Sequence, residues 1–417
     1  MVHFTKKKII LILLVINLLF TSGMSFAFWA SSVAGSSGNN NGTIDIGDWG
    51  IPIFTPLEFY TFATKTNSVA TDSYYLANDI DFTGFTWTYQ TVFSTATFRG
   101  TLNGNGKTLS NLTITNTSTS WLYNGIFPRI LGATIHDLTL DNVNTVTTLS
   151  GTSQRSGLIA GNAWGGTNTL SNITVLNSGS QGNSTNGVGG LVGNVLNSTT
   201  ILNLNNIKTT NLKVFNLSAY VGGLVGRISS TGARVTMNDI DFEGHVYSYA
   251  TTGYSGGLIG YVPSGTFFTL NRAIVEATFQ NTLVTNATYN LRYSDRYLGG
   301  IIGYNAAASA NVFITDAFFT GSLFNQTNTY RSDVGAVSGR DGTQATLLRT
   351  YRSYVAYRTS TGTVSYTQTG QTGQMGTLVS ATAMPTATWW NGYYVNLVAG
   401  NTDWVQTPVT GRPYLNR

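Results

Sequence analysis

The pentapeptide Gly189-Gly190-Leu191-Val192-Gly193 returns as Gly222-Gly223-Leu224-Val225-Gly226, as Gly256-Gly257-Leu258-Ile259-Gly260 and as Gly299-Gly300-Ile301-Ile302-Gly303. Gly157-Leu158-Ile159-Ala160-Gly161 opens the series, Gly335-Ala336-Val337-Ser338-Gly339 closes it, and Gly125-Ile126-Phe127 is an earlier relative. The period is about 33 residues, and the interval from Gly257 to Gly300 is about ten residues longer. A fixed period of this size is the mark of a solenoid, in which each unit buries its apolar face only against its neighbours.

After each pentapeptide comes a second segment whose apolar positions alternate. Examples are Asn172-Ile173-Thr174-Val175 and Asp239-Ile240-Asp241-Phe242. Alternation with period two predicts a strand with one buried face. No stretch beyond the N-terminal segment repeats at 3.6 residues, so almost no helix is expected. Glycine suits tight corners and close approach between coils. Aligning the units gives a column at the turn before the second strand: Asn111, Asp137, Asn172, Asn206, Asp239, Arg272, Asp316 and Arg349. Asn and Asp tolerate the left-handed backbone of such turns. The last four alternate in sign, which predicts charge pairing between coils about 4.8 Å apart.

Two stretches carry family resemblances. The segment Phe98 to Ile114, with Arg99-Gly100-Thr101-Leu102-Asn103-Gly104-Asn105-Gly106 at its head, resembles the opening coil of pectin-lyase-like β-helices. The Gly-Gly-Leu-Val-Gly units resemble the GLUG motif of bacterial surface proteins and adhesins, over roughly residues 57 to 415. The resemblance implies a right-handed parallel β-helix on the cell surface. It implies no catalytic residue, since the motif is structural.

The rest of the chain follows from this frame. Residues 1–27 read as a signal peptide: Lys6, Lys7 and Lys8, then the apolar run Ile9 to Phe20, then Ser25-Phe26-Ala27. Membrane contact is expected only if this segment stays uncleaved. Residues 28–56 form an N-terminal segment and linker, 57–98 an N-terminal cap, 99–358 the repeat domain and 359–417 a C-terminal cap with Trp389, Trp390, Tyr393, Tyr394 and Trp404. The formal charge is +5, but setting aside Lys6 to Lys8 takes the 22 basic residues to 19, against 17 acidic ones. No basic stripe is visible in the sequence, so nucleic acid is not an expected partner. With no cysteine there is no disulfide framework and no thiolate metal site.

Function is less legible. The long interval holds Tyr289, Arg292, Tyr293, Arg296 and Tyr297, residue types favoured at interfaces, on an insertion read as an exposed binding loop. The acidic trio Asp239, Asp241 and Glu243 alternates, which places it on one outer face. It is the best place for a Ca²⁺ site or a hydrolase site, and neighbouring units supply no matching cluster. His136 and His245 lie in different units, which argues against a His-metal site or a Ser-His-Asp triad. The expectation is a secreted or surface-displayed, non-enzymatic β-helix without cofactor or metal, an adhesin or matrix protein. Its partners would be host or matrix glycans, proteins or copies of itself. A polysaccharide lyase or glycoside hydrolase, and a carbohydrate-binding protein with Tyr and Trp platforms, are the alternatives.

Overall fold

In the computed structural model the described residues run from 50 to 352, less residue 66, 88–95, 118–121, 148–153, 184, 249–252, 280–296, 322, 325–333 and 342–344, with a few short strands beyond. They form a parallel β-helix of three sheets. The largest holds the alternating segments, among them Thr134–Asp141, Thr167–Leu176, Ile201–Asn216, Arg234–Ser248, Phe267–Thr278 and Val312–Phe319, each hydrogen-bonded to the next in parallel. A seven-stranded sheet runs from Tyr123–Asn124 to Val334–Gly335, and an eight-stranded sheet from Thr97–Phe98 to Ser338–Asp341. The pentapeptides link these last two: from Gly189 on, the first glycine ends one strand, the middle is the bend, and the last residues enter the next strand, while in the first unit the strand ends one residue earlier, at Ser156. No helix among the described residues is long and apolar enough to cross a membrane.

One interior row shows how the coils share a core. Leu170, Leu204, Met237, Leu270 and Ile314 are register partners, as are Ile173, Ile207, Ile240, Ala273 and Ala317. All are fully buried. A third row runs Val175, Thr209, Phe242, Val275 and Phe319, and its two phenylalanines need space. The bend glycines provide it. A β-carbon added at Gly223 would lie 2.5 Å from Phe242 Cζ, and one at Gly300 would lie 2.7 Å from Phe319.

The same glycines let the coils close on one another. A β-carbon at Gly190 would meet the Gly223 carbonyl oxygen at 2.0 Å, one at Gly223 the Gly257 oxygen at 1.9 Å, and one at Gly257 the Gly300 oxygen at 1.9 Å. These are backbone atoms that cannot swing aside. Adjacent coils therefore approach as closely as they do only because the column has no side chains.

The corners inside the largest sheet are set by left-handed residues. Asn105, Asp137, Asn172, Asn206, Asp239, Arg272 and Asp316 all have φ between 53° and 55°. Side chains link them from coil to coil: Asn172 Nδ2 donates to Asp137 Oδ1 at 2.7 Å, and Asn206 Nδ2 to Asn172 Oδ1 at 2.8 Å. Arg272 donates twice to Asp239, from Nε and Nη2, both at 2.6 Å. Arg349 falls beside Asp316 in the register. Asn111 does not stand in this column. A bulge between Asn103 and Lys107 sets Gly104-Asn105-Gly106 opposite Asp137 and moves Asn111 on to a second corner. There it stacks with Asn142, Asn177 and Asn211, whose φ values are 54°, 49° and 55°. Asn142 Nδ2 donates to Asn111 Oδ1 at 2.8 Å.

Among the described residues a single 3₁₀ turn spans Ser309–Asn311, and one α-helix, Pro56–Ala63, lies near the N-terminal end. Its start is a capping box: Thr55 accepts from the Glu58 amide, and Glu58 accepts from the Thr55 amide. Its buried face contributes Phe59 and Phe62 to an aromatic cluster with Phe82, Trp87, Phe98 and Phe127. Beyond the coils, the hairpin Trp404–Gln406 with Pro413–Leu415 reaches back to the strand Arg234–Ser248. Trp389, Trp390, Tyr393 and Tyr394 lie outside the described residues.

Two predictions follow from the packing. Gly223→Val and Gly257→Val should each cost about 3 kcal/mol or abolish folding, because overpacking against backbone is not relieved by rotamer change. Circular dichroism melts superimposable on the parent would refute the close approach. At the asparagine corner, Asn206→Val should destabilise about 2 kcal/mol more than Asn206→Gly, since only the former pays for a branched residue in the left-handed region. Denaturant midpoints of the two variants decide it.

Candidate functional site: a tyrosine–arginine strip

On the outer side of the bend, two rows of side chains run along the solenoid. One row, on the seven-stranded sheet, is Tyr123, Arg155, Gly187, Tyr220, Tyr254 and Tyr297. The other, just after the bend, is Arg129, Asn162, Asn194, Arg227, Tyr261, Tyr304 and Arg340. The rows converge. Tyr220 and Tyr254 stack with ring centroids 4.8 Å apart and planes 6° apart, and Tyr254 and Tyr297 at 4.9 Å and 23°. Across the corner, Tyr254 meets Tyr304 at 5.6 Å and Tyr220 meets Tyr261 at 5.4 Å. Side chains from two sheets that touch in this way line a re-entrant corner.

Guanidinium groups lie on these rings. Arg227 sits 4.3 Å from the Tyr220 centroid, Arg155 5.2 Å from Tyr123 and Arg340 5.2 Å from Tyr297. Such contacts contribute about 0.5–2 kcal/mol each, more when water is excluded. Burial holds Arg155 and Arg227 below the ordinary guanidinium range. Burial, then Tyr220 and Tyr304, push the Tyr261 hydroxyl up, so it remains a donor. Because the tyrosine faces are occupied by one another, a sugar ring cannot lie flat on them. The strip carries guanidinium N–H groups at Arg155 and Arg227 and phenol O–H groups at Tyr220, Tyr254 and Tyr261.

The sequence reading found one member of this strip and misplaced it. Tyr297 is not on an exposed loop; it begins the strand Tyr297–Gly299 and is 3% exposed, because the stack closes over it. Tyr289, Arg292, Tyr293 and Arg296 lie outside the described residues. The signal that marks the strip is positional. It is the residue two before the Gly-Gly pair and the residue just after the last glycine, as in Tyr220-Val221-Gly222 and Gly226-Arg227 or Tyr254-Ser255-Gly256 and Gly260-Tyr261.

The acidic trio does not act as one cluster. Asp239 sits in the left-handed corner, held by both bonds from Arg272. Asp241 is buried, with Lys208 beside it in register. Glu243 stands beside Glu276 of the next coil, a neighbouring carboxylate that the unit alignment overlooked. No group of three His, Cys, Asp or Glu side chains among the described residues could hold a metal ion. His136 pairs locally, its Nδ1 being 2.7 Å from Asp137 Oδ2. His245 is half-buried opposite Lys213, and its Nδ1 has no hydrogen-bond partner.

The fold and strip together define a parallel β-helix with a donor-rich lateral corner. No protein-family model matches the chain, and no curated protein matches it in sequence. Among solved structures it is similar to one from Bacteroides ovatus described as a putative immunoglobulin A1 protease. The identity is 14%, the match covers 88% of this chain and 92% of that chain, and the TM-score is 0.50. At that identity the likeness concerns the fold alone.

His245 yields a pH prediction. Burial, then the charge of Lys213, holds its pKa below the ordinary 6.5. As pH falls through that ordinary value the unfolded chain takes up the proton first, so stability present above it is lost on acidification. Tm should drop between pH 7 and pH 5 in the parent and drop less in His245→Gln. Equal drops would show that His245 is not the group responsible.

Proposed function

We propose that this chain is a secreted, surface-displayed β-helix of the GLUG-repeat kind, acting as an adhesin or matrix protein by binding rather than by chemistry. The observation that carries the reading is the Tyr–Arg strip, whose hydrogen-bond donors span many coils and are broken at Gly187. Such a surface suits an extended ligand and supplies no nucleophile–base pair. The charged start and apolar run of residues 1–27 support export. The stacked rings weigh against flat sugar platforms.

A second reading is favoured by Glu243 and Glu276. Register partners on adjacent strands lie about 4.8 Å apart, near the separation of about 5–5.5 Å used by retaining glycosidases. The protease description of the Bacteroides ovatus structure adds peptide cleavage as a reaction to test.

The deciding experiment applies residues 28–417 to a glycan and matrix-protein array, with product analysis of every bound polysaccharide and of immunoglobulin A1. The expected result is binding with all ligands recovered intact. Cleavage of a polysaccharide, abolished by Glu243→Gln, would replace the first reading with the second. Cleavage of immunoglobulin A1 would overturn both.

A further inference from the structure

The rows of tyrosine and arginine are interrupted at one place. Gly187 stands where the first row would carry a Tyr or Arg, and Asn162 and Asn194 stand where the second would. Both asparagines are 0% exposed. Asn162 has no hydrogen-bond partner at Nδ2 or at Oδ1. Asn194 accepts from Ser229 Oγ at 2.7 Å through Oδ1, but its Nδ2 has no partner. Buried amides normally find partners, and leaving one unmet is costly.

Two guanidinium groups flank this interruption. Arg155 lies in the coil before Gly187 and Arg227 in the coil after it. A β-carbon at Gly187 would meet the Gly193 carbonyl oxygen first, and then the Arg227 stem, with Cγ at 3.1 Å and the Arg227 amide nitrogen at 3.2 Å. Arg227 Nε has no hydrogen-bond partner. The two cations repel: besides burial, the charge of Arg227 lowers the pKa of Arg155. Neither row contains a carboxylate among its described residues. The gap thus joins two half-buried cations, unmet amide hydrogens and a floor without a side chain.

We infer that this gap is an oxyanion-binding notch, and that its ligand is an acidic group of an extended anionic polysaccharide lying along the strip. This rests on the reading of the chain as a binding protein and names the ligand class. An acidic group between Arg155 and Arg227 offsets their repulsion and accepts from both, as guanidinium favours carboxylate and sulfate oxygens. The Asn162 and Asn194 amides donate from below. A chain of several acidic groups meets Arg129 as well, since three coil steps separate Arg129 from Arg227, about 14 Å.

The test titrates residues 28–417 with heparin, hyaluronate, dextran and inorganic phosphate, for the parent and for Arg155→Gln, Arg227→Gln and Arg234→Gln. Arg234 is exposed on another sheet and serves as the control. Circular dichroism checks that each variant is folded. If Arg227→Gln fails to fold, Asn194→Leu, which fills the floor, takes its place. The expected result is binding of heparin or hyaluronate that weakens with salt, at least a tenfold loss in the notch variants, no loss in Arg234→Gln and no binding of dextran. Unchanged affinity in the notch variants overturns the site, even if the chain binds polysaccharide elsewhere. Binding of phosphate alone overturns the polymeric ligand. Binding of dextran only would sink the notch while leaving the broader binding reading intact.

Discussion

Everything in this molecule depends on how closely one backbone can approach the next at the bend of each coil. At Gly223 and Gly257 the space for a β-carbon is already occupied by a carbonyl oxygen of the following coil. A column without side chains holds the coils in contact, admits the interior phenylalanines and folds the chain sharply between two sheets. The sharpness has an outward result. Residues that flank the bend, seven apart in sequence, meet on the exterior as Tyr220 and Arg227 do. The strip is thus a by-product of the corner, and its chemistry depends on which residues happen to flank the glycines.

The same logic explains why charge is so scarce. In a stacked fold every side chain has near-copies of itself above and below, so a charged residue repeated at one position would repel along the axis. Asn escapes this because it is both donor and acceptor, and it fills the corner columns. At the left-handed corner the charges alternate, as Asp239 and Arg272 do, whereas Glu243 and Glu276 are like charges side by side. The Arg155–Arg227 pair departs from that pattern: two like charges with an uncharged coil between them.

Much of the fold was legible because a solenoid writes its geometry into a period. The glycine corner, the left-handed Asn and Asp turns and the Asp239–Arg272 pairing could all be read from recurrence. Asn111 could not be placed, because both corners of a coil prefer Asn and only the bulge at Gly104 to Gly106 decides between them. Tyr297 looked like part of a loop because its partners, Tyr254 and Tyr304, meet it through stacking and bending rather than through sequence proximity. Glu276 was overlooked beside Glu243 because adjacency in a solenoid is set by register. The helix was legible after all in Thr55-Pro56-Leu57-Glu58, a capping sequence too short to reveal itself by periodicity.

The asparagine columns also have a direction. Asn111 donates to Asp81, Asn142 to Asn111, Asn172 to Asp137, Asn206 to Asn172, Asn238 to Asn205 and Asn271 to Asn238. In each case the later coil gives the proton and the earlier one receives it. At Asp81 and Asp137 the direction is fixed, because an ionised carboxylate can only accept. Each finished coil therefore presents an open acceptor to the segment that emerges next. For a chain that emerges N-terminus first, the edge already laid down is a template for the coil still arriving, and assembly can advance like a zipper with one working end.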